Sequence, residues 1–199
     1  MLFRSGAHAF AHFPFKRDDL DCDYYGVSLH KWLHAPIGSG MLYVRRDKIG
    51  SIWPMYAQNA GQENNIRKYE EIGTHPVAIH NAVAVSLAFH RSIGSERKIA
   101  RLRMLRDRWA KRLMAESDRV HLLTALGPNT NGAIATFNID GIDMGKLNAW
   151  LSGTHRIVTA GLNHPEFQGM RITPNVYTTL DEIDKFSDKV LLAIKKGIA

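Results

Sequence analysis

The sequence predicts an α/β domain followed by a smaller α+β domain, and three observations support this fold class. An apolar run, a polar turn, a glycine-rich link and a second strand-like run follow one another over residues 23–44. Two long stretches with helical spacing lie between residues 77 and 113. After Ser117, short strands alternate with helices, which favours helices on one face of a sheet. We expect the domains to be residues 1–116 and 117–199.

Composition limits the class of protein. The 199 residues are 45% hydrophobic, and no apolar run approaches the roughly 20 residues of a membrane helix, so we expect a soluble globular chain without a membrane partner. Residues 1–15 lack the pattern of a signal peptide. With Cys22 as the only cysteine, no internal disulfide can form, which suits a cytoplasmic location. No metal site is predicted.

The two runs within residues 23–44 predict neighbouring strands. Ser28, His30 and Lys31 come at the end of the first strand, where open α/β sheets usually bind ligands. Lys31 is followed by Trp32, which we expect to serve in packing. A lysine beside a buried aromatic ring and a glycine-rich backbone is a candidate for an adduct with a carbonyl group.

The middle of the chain predicts a short helix or turn at residues 49–55, a polar loop at 58–68 and two helices. Thr74 can cap the first helix, which starts near His75 and Pro76. Residues 77–93 are rich in Ala, Val and Leu around nearly the whole circumference of the helix, so this helix should be buried. The next helix places five apolar residues on one face, and these are Ile99, Leu102, Leu105, Trp109 and Leu113.

The remaining positions of that second helix, from Arg97 to Arg112, are mostly basic. They explain most of the net charge of +7. A solvated basic face is the simpler interpretation, and a nucleic-acid-binding module is the alternative. Such a module would want exposed aromatic side chains between the cations, and none are interleaved here. We therefore expect no nucleic-acid partner.

The last third of the chain predicts strands at residues 120–125, 132–139, 157–160 and 170–172. It also predicts helices at residues 144–151 and 180–196. Thr179 and Glu182 form a capping box at the start of the final helix.

The stretch from Asp23 to Val44 has the pattern Asp-x-Tyr-x-x-Ser-x-His-Lys-x-x-x-x-Pro-x-Gly-x-Gly-x-Leu-Tyr-Val. This pattern resembles the cofactor-lysine segment of the class V aminotransferase family, which are fold-type I pyridoxal-phosphate (PLP) enzymes. The resemblance covers residues 6–196. It implies the second half of the PLP-dependent transferase large domain followed by the small α+β C-terminal domain.

The resemblance also implies roles for residues around the lysine. Lys31 would form the Schiff base with PLP, Ser28 and His30 would hold the phosphate, and His8 would contact the 3-oxygen of the ring. Ser5 stands where the family has an aspartate that pairs with the pyridine nitrogen. A serine cannot hold a proton on that nitrogen as a carboxylate does.

Two further segments resemble the family. Glu70-Glu71-Ile72-Gly73-Thr74 is similar to the family's Glu-x-x-Gly-Thr segment, and it implies that Thr74 reaches the phosphate of the neighbouring subunit's cofactor. The segment that begins at Arg171 and runs to Asp184 is similar to the C-terminal segment whose arginine binds the substrate carboxylate. Arg171 inherits that role, and the family's dimers imply a homodimer.

The absence of a suitably placed cysteine excludes one class of reaction and leaves several others open. A cysteine desulfurase needs a nucleophilic cysteine shortly before the arginine, and there is none between Arg156 and Arg171. We therefore expect an epimerase, aminotransferase or lyase acting at Cα of a small-molecule amino acid substrate, most like the isopenicillin N epimerase-like branch. Ser5 suggests either a catalytically dead PLP-fold protein or a truncated or frameshifted start. We favour the second and expect a fragment that is inactive alone.

Overall fold

The computed structural model describes residues 1–57, 59–127 and 132–198. It divides into two compact units, Met1–Glu96 and Arg97–Ala199. The domain boundary that the resemblance implies, after residue 116, stays a prediction. Within the described ranges, no helix is both long enough and apolar enough to cross a membrane.

A three-stranded sheet forms the centre of the first unit. Its strands are β1 (Phe3–Ser5), β2 (Tyr24–Ser28) and β3 (Gly40–Val44), in the order β1-β2-β3. β1 runs parallel to β2, and β2 runs antiparallel to β3. The two strands predicted from residues 23–44 are confirmed. They form because β2 is a short run of aromatic and β-branched residues, of which Tyr24, Tyr25 and Val27 are buried.

Side chains of β2 point alternately to the two faces of the sheet, so the core of the first unit is divided between these faces. One face carries a cluster of six buried residues: Cys22, Tyr25, Val27, Leu29, Leu33 and Ala35. The other face buries Tyr24 against Val44 and Ile49. Successive side chains of a strand point to opposite faces, so two neighbouring tyrosines serve two different clusters.

Helix α1 (Val77–Ile93) has the bounds that the sequence predicts. The prediction that it is buried is wrong. Ser86 is its one buried residue, while Val85 is 71% and Phe89 49% exposed. In the part of the unit that the structure describes, the helix packs on the core through Val83 and Leu87.

Short 3₁₀ turns replace longer structure between β3 and α1. They span Arg46–Ser51 and Ile66–Tyr69, so the predicted short helix or turn lies a few residues earlier than expected. Of the predicted polar loop, residue 58 lies outside the described residues. Pro76 occupies the N-cap of α1 without a side-chain hydrogen bond. The prediction that Thr74 caps this helix is therefore wrong.

The second unit combines three helices with a four-stranded sheet. Its elements are α2 (Ser95–Glu116), β4 (Val120–Leu122), β5 (Ala135–Ile139), α3 (Met144–His155), β6 (Ala160–His164), β7 (Phe167–Ile172) and α4 (Leu180–Lys196). The strand order is β4-β5-β7-β6, and all neighbours are antiparallel. The predicted capping box of Thr179 and Glu182 is present at the start of α4.

One apolar core joins these helices to the sheet. Trp109 of α2, Phe137 of β5 and Phe186 of α4 meet at its centre, with ring centroids 5.4 to 6.2 Å apart. Each aromatic pair of this kind contributes about 0.5–1.5 kcal/mol beyond burial of its area. The five residues predicted for the apolar face of α2 are all buried.

The basic residues of α2 are not a uniformly solvated face, and that prediction is wrong in part. Lys98 and Arg106 are buried. Arg108 donates two hydrogen bonds to Asp184, and Arg112 donates to Asp188. These pairs tie α2 to α4. Much of the positive charge is therefore used inside the second unit.

The β6–β7 hairpin differs from the predicted strands. β6 covers Ala160–His164 rather than residues 157–160, and β7 begins at Phe167 rather than at residue 170. Arg156 ends α3 in the left-handed conformation, and the amide of Ile157 still donates to the carbonyl of Leu151. The chain is therefore still leaving the helix where a strand was predicted.

Candidate active site

The candidate site begins where two parallel strands end at the same edge of the sheet. Ser5 is the last residue of β1 and pairs in register with Gly26 of β2, which ends at Ser28. His8 follows β1 by three residues and Lys31 follows β2 by three residues. Parallel strands bring the residues after their carboxyl ends together, and open α/β sheets bind ligands there.

Asp23 fixes the start of both strands. Its carboxylate accepts a hydrogen bond of 2.7 Å from the backbone amide of Leu2 and pairs with Arg45 at 2.6 Å. The amide hydrogen bond, and then the positive charge of Arg45, hold the pKa of Asp23 below its usual value despite its burial. The aspartate of the motif thus has a structural role, which sets the register of β1 against β2.

Gly6 allows the chain to leave β1 close to the sheet. A Cβ atom at this position would lie 1.9 Å from Oη and 2.1 Å from Cζ of Tyr25. Tyr25 is buried, and burial raises the pKa of its hydroxyl. The residue before Ala7 must therefore lack a side chain so that the segment bearing His8 can turn over the ring.

Lys31 and His8 contact each other. Nζ of Lys31 lies 3.4 Å from Nε2 of His8, and the indole Nε1 of Trp32 donates to Nδ1 of His8 at 3.3 Å. Trp32 is buried and its ring stacks on that of His12, with centroids 3.7 Å apart. The sequence analysis expected only packing from Trp32 and missed its contact with His8, although its place next to Lys31 was visible.

An open cleft of about 1060 Å³ lies on this part of the first unit. Its lining includes Ser5, Ala7 and Ser28 from the strand ends, together with Gly73 and His75. Thr74 is exposed between these last two residues, and His30 is exposed in the turn after β2. The structure therefore brings Ser5 and Ser28 into one cleft and places Thr74 at its margin.

Arg171 belongs to the second unit and lies on β7, paired with Thr136 of β5 and Ala160 of β6. It lines a separate cleft of about 520 Å³ that also carries Arg156 and Lys185. Nε of Arg171 is buried and has no hydrogen-bond partner within residues 1–57, 59–127 and 132–198. A buried donor without a partner is costly, so this atom suits an acceptor supplied by a ligand.

The residues of the first unit fit PLP around Lys31, but they do not fit it at the position that would face the pyridine nitrogen. The amine of Lys31, the ring nitrogen of His8 and the hydroxyl of Ser28 provide a nucleophile and hydrogen-bonding groups near the strand ends. Ser5 lines the same cleft but supplies a hydroxyl where a pyridine nitrogen would want a carboxylate. An amine and hydrogen-bonding groups therefore lie near the strand ends, and the last residue of β1 carries a hydroxyl in place of a carboxylate.

Comparisons of sequence and of structure match nearly the whole chain to known enzymes. The chain is 30% identical over 200 residues to isopenicillin N epimerase from Streptomyces clavuligerus, covering 92% of this chain and 50% of the epimerase. The cysteine desulfurase of Thermococcus onnurineus NA1 has the same fold, with a TM-score of 0.81, 20% identity and coverage of 97% of this chain and 52% of the desulfurase.

A third match is a C-DES variant with glycine covalently linked to its PLP cofactor. It has a TM-score of 0.76 and 21% identity, and covers 93% of this chain and 50% of C-DES. The chain thus spans about half the length of these relatives. The aminotransferase class-V family profile matches residues 2–186, and the chain belongs to that family.

Proposed function

We propose that this chain carries the cofactor-binding lysine of a PLP-dependent enzyme that acts at Cα of a small-molecule amino acid. The contact of 3.4 Å between Lys31 and His8, at the shared end of two parallel strands, is the observation that carries the proposal. The similarity to an epimerase favours epimerisation, and transamination or elimination are the other reactions open to the same residues.

Each residue has a definite part in this proposal. Bound PLP supplies an electron sink for charge that develops at Cα. Lys31 would hold the cofactor through its amine, and the same amine would move the proton at Cα of the substrate. The phosphate needs several fixed donors; Ser28 and His30 would provide them, and Thr74 would provide one to the cofactor of the neighbouring subunit. His8 would contact the 3-oxygen of the ring.

Arg171 is the proposed ligand of the substrate carboxylate, because a guanidinium can make two parallel hydrogen bonds to it. Its buried Nε supports this role. Binding of glycine to the enzyme tests this role. Arg171→Gln should raise the glycine concentration needed for half-saturation roughly ten- to a hundredfold, which is the loss of affinity expected for charged hydrogen bonds. Arg156→Gln is the matched control in the same cleft, and equal effects of both changes would contradict the assignment.

Desulfuration is not proposed, because it needs a reactive thiol. Cys22 is the only cysteine in the sequence and is 4% exposed within the core of the first unit. A buried thiol packs like a small apolar side chain and is not accessible to a substrate. We also propose that the whole enzyme is a cytoplasmic homodimer, which light scattering of the enzyme would test.

A second candidate is a PLP-fold protein that has lost catalysis, and Ser5 favours it. A hydroxyl in the cleft cannot keep the pyridine nitrogen protonated, so the electron sink would be weak. Ser5→Asp separates the two candidates. Activity that appears only in the Ser5→Asp variant would support lost catalysis, whereas equal activity in both proteins would contradict it.

The first experiment is an absorbance spectrum of the purified chain with PLP, before and after borohydride, followed by peptide mapping. We expect a reducible adduct on Lys31. Lys31→Ala should abolish it while the far-ultraviolet circular dichroism stays unchanged, and Lys16→Ala, at an exposed lysine of the same unit, should retain it. An adduct that persists in Lys31→Ala would overturn the site assignment.

A further inference from the structure

The cleft that Arg171 lines in the second unit carries two further cations. Arg156 lies at the end of α3, and Lys185 lies on α4. Both of these side chains are exposed, whereas Arg171 is half-buried. Within the residues that the structure describes, no carboxylate forms an ion pair with any of the three. Their charges are therefore available to a ligand.

The fold of the second unit brings these cations together from separate elements. Arg171 lies on β7 and pairs with the first residue of β6, which follows Arg156 by four positions. The pKa of His155 is lowered by burial first, and then by the charges of Lys189 and Lys185. The amine of Lys185 therefore lies near the end of α3 at which Arg156 stands, and all three cations line one cleft of about 520 Å³.

The remaining lining of the cleft is mostly apolar, with one carboxylate, that of Glu182. This carboxylate accepts hydrogen bonds from the backbone amide and the hydroxyl of Thr179, which hold its pKa below the usual value. Three cations and one carboxylate leave two positive charges in excess. Ile157, Ile183 and Phe186 offer apolar surface to methylene groups. The lining thus suits a short chain that carries two carboxylates.

We propose that this cleft selects amino acids whose side chain ends in a carboxylate, and that Arg156 and Lys185 bind this second carboxylate. The inference rests on the proposed function, which assigns the carboxylate at Cα to Arg171. A guanidinium binds one carboxylate through two parallel hydrogen bonds, so an uncharged side chain would leave the other two cations without a partner. Each contact between exposed charges contributes roughly threefold in affinity, and two contacts should give about a tenfold preference.

Binding of L-glutamate and L-glutamine to the full-length chain tests this preference. The two molecules have nearly the same shape and differ in charge only at the end of the side chain. Isothermal titration calorimetry at low ionic strength, without cofactor, should show that L-glutamate binds about tenfold more tightly. Equal affinities, or no measurable binding of L-glutamate, would overturn the proposal.

Three variants assign the preference to particular residues. Arg156→Gln and Lys185→Gln should each lower the affinity for L-glutamate roughly threefold and leave that for L-glutamine nearly unchanged. Lys195→Gln removes the same charge from an exposed position of α4 outside the cleft, so it should keep the preference. A preference that persists when Arg156 and Lys185 are both replaced, or that falls equally in Lys195→Gln, would contradict the assignment.

Failure of the proposed function gives a different result. Arg171→Gln should weaken both ligands to a similar extent. If it weakens neither, the role of Arg171 fails and this inference fails with it. If it weakens both, while the variants of Arg156 and Lys185 keep the preference, only the site for the second carboxylate is refuted. Absence of an adduct on Lys31 concerns the cofactor alone, because these titrations contain no PLP.

Discussion

Replacing Gly6 by alanine tests the packing on which the candidate site depends. The added methyl group would lie 1.9 Å from Oη and 2.1 Å from Cζ of Tyr25, and Cβ contacts under 3.0 Å are essentially never made. Tyr25 is 4% exposed and its ring contacts that of Phe15, so the ring cannot simply swing into solvent. Either the ring or the segment bearing His8 must be displaced.

We expect Gly6→Ala to lower the free energy of unfolding by about 1–3 kcal/mol, the usual cost of an overpacked core. For a unit of this size each kcal/mol corresponds to roughly 4–8 °C in Tm. Urea unfolding followed by circular dichroism measures the loss. Gly153→Ala is the matched control, because nothing lies within 4 Å of its added methyl group, and alanine should be neutral or favourable in helix α3.

A double-mutant cycle makes the interpretation sharper. Tyr25→Leu removes the ring atoms that meet the methyl group, so it should cost less stability in the Gly6→Ala chain than in the wild-type chain. Additive effects of the two changes would refute the steric explanation. A Gly6→Ala chain with an unchanged urea midpoint would show that Tyr25 does not pack over residue 6 at all.

Two other predictions concern the second unit. Burial lowers the pKa of Lys98 to about 8; in the unfolded chain it is about 10.4. Between these values the unfolded chain binds the proton and the folded chain does not, so stability should rise with pH by up to about 1.4 kcal/mol per unit. Lys98→Met should flatten this dependence in urea titrations from pH 8 to 10, and equal slopes would contradict it. Thr179→Ala removes the capping box with Glu182 and should cost about 1 kcal/mol, whereas Thr173→Ala, at an exposed position outside the helix, should cost little.

Local sequence predicts the helices well because their signals are local. Helices α1 and α4 have the predicted bounds, since Gly94 stops the first and a capping box starts the second. Burial of α1 could not be predicted, because it depends on which layers pack against the helix. Its composition suits a covered helix, yet Val85 and Phe89 are exposed.

The β6–β7 hairpin shows where local signals fail. Gly161, Asn163 and Gly169 are poor strand formers, yet all three lie in paired strands. Gly169 is there because a Cβ would come within 3.0 Å of a neighbouring carbonyl oxygen, that of Phe137. Pairing across the sheet, and not intrinsic preference, determines these strands.

The sequence predicts which types of residue belong to the candidate site, but it does not predict the contacts between them. The end of β2 placed Ser28 and Lys31 together from the sequence, and the structure adds the contact of Lys31 with His8 across 23 residues. The hydrogen bond from Trp32 to His8 spans 24 residues and is likewise a tertiary contact, which a residue pattern does not specify. The roles of His30, Thr74 and Arg171 towards ligands stay predictions.

The sole cysteine provides a way to measure how often the Met1–Glu96 unit opens. Cys22 lies in the cluster beneath the strand ends and is 4% exposed, so a thiol reagent can reach it only when that cluster opens. With no second thiol in the sequence, the labelling rate reports the Met1–Glu96 unit alone. A bound cofactor that stabilises the strand ends would slow this rate even if no reaction were ever observed.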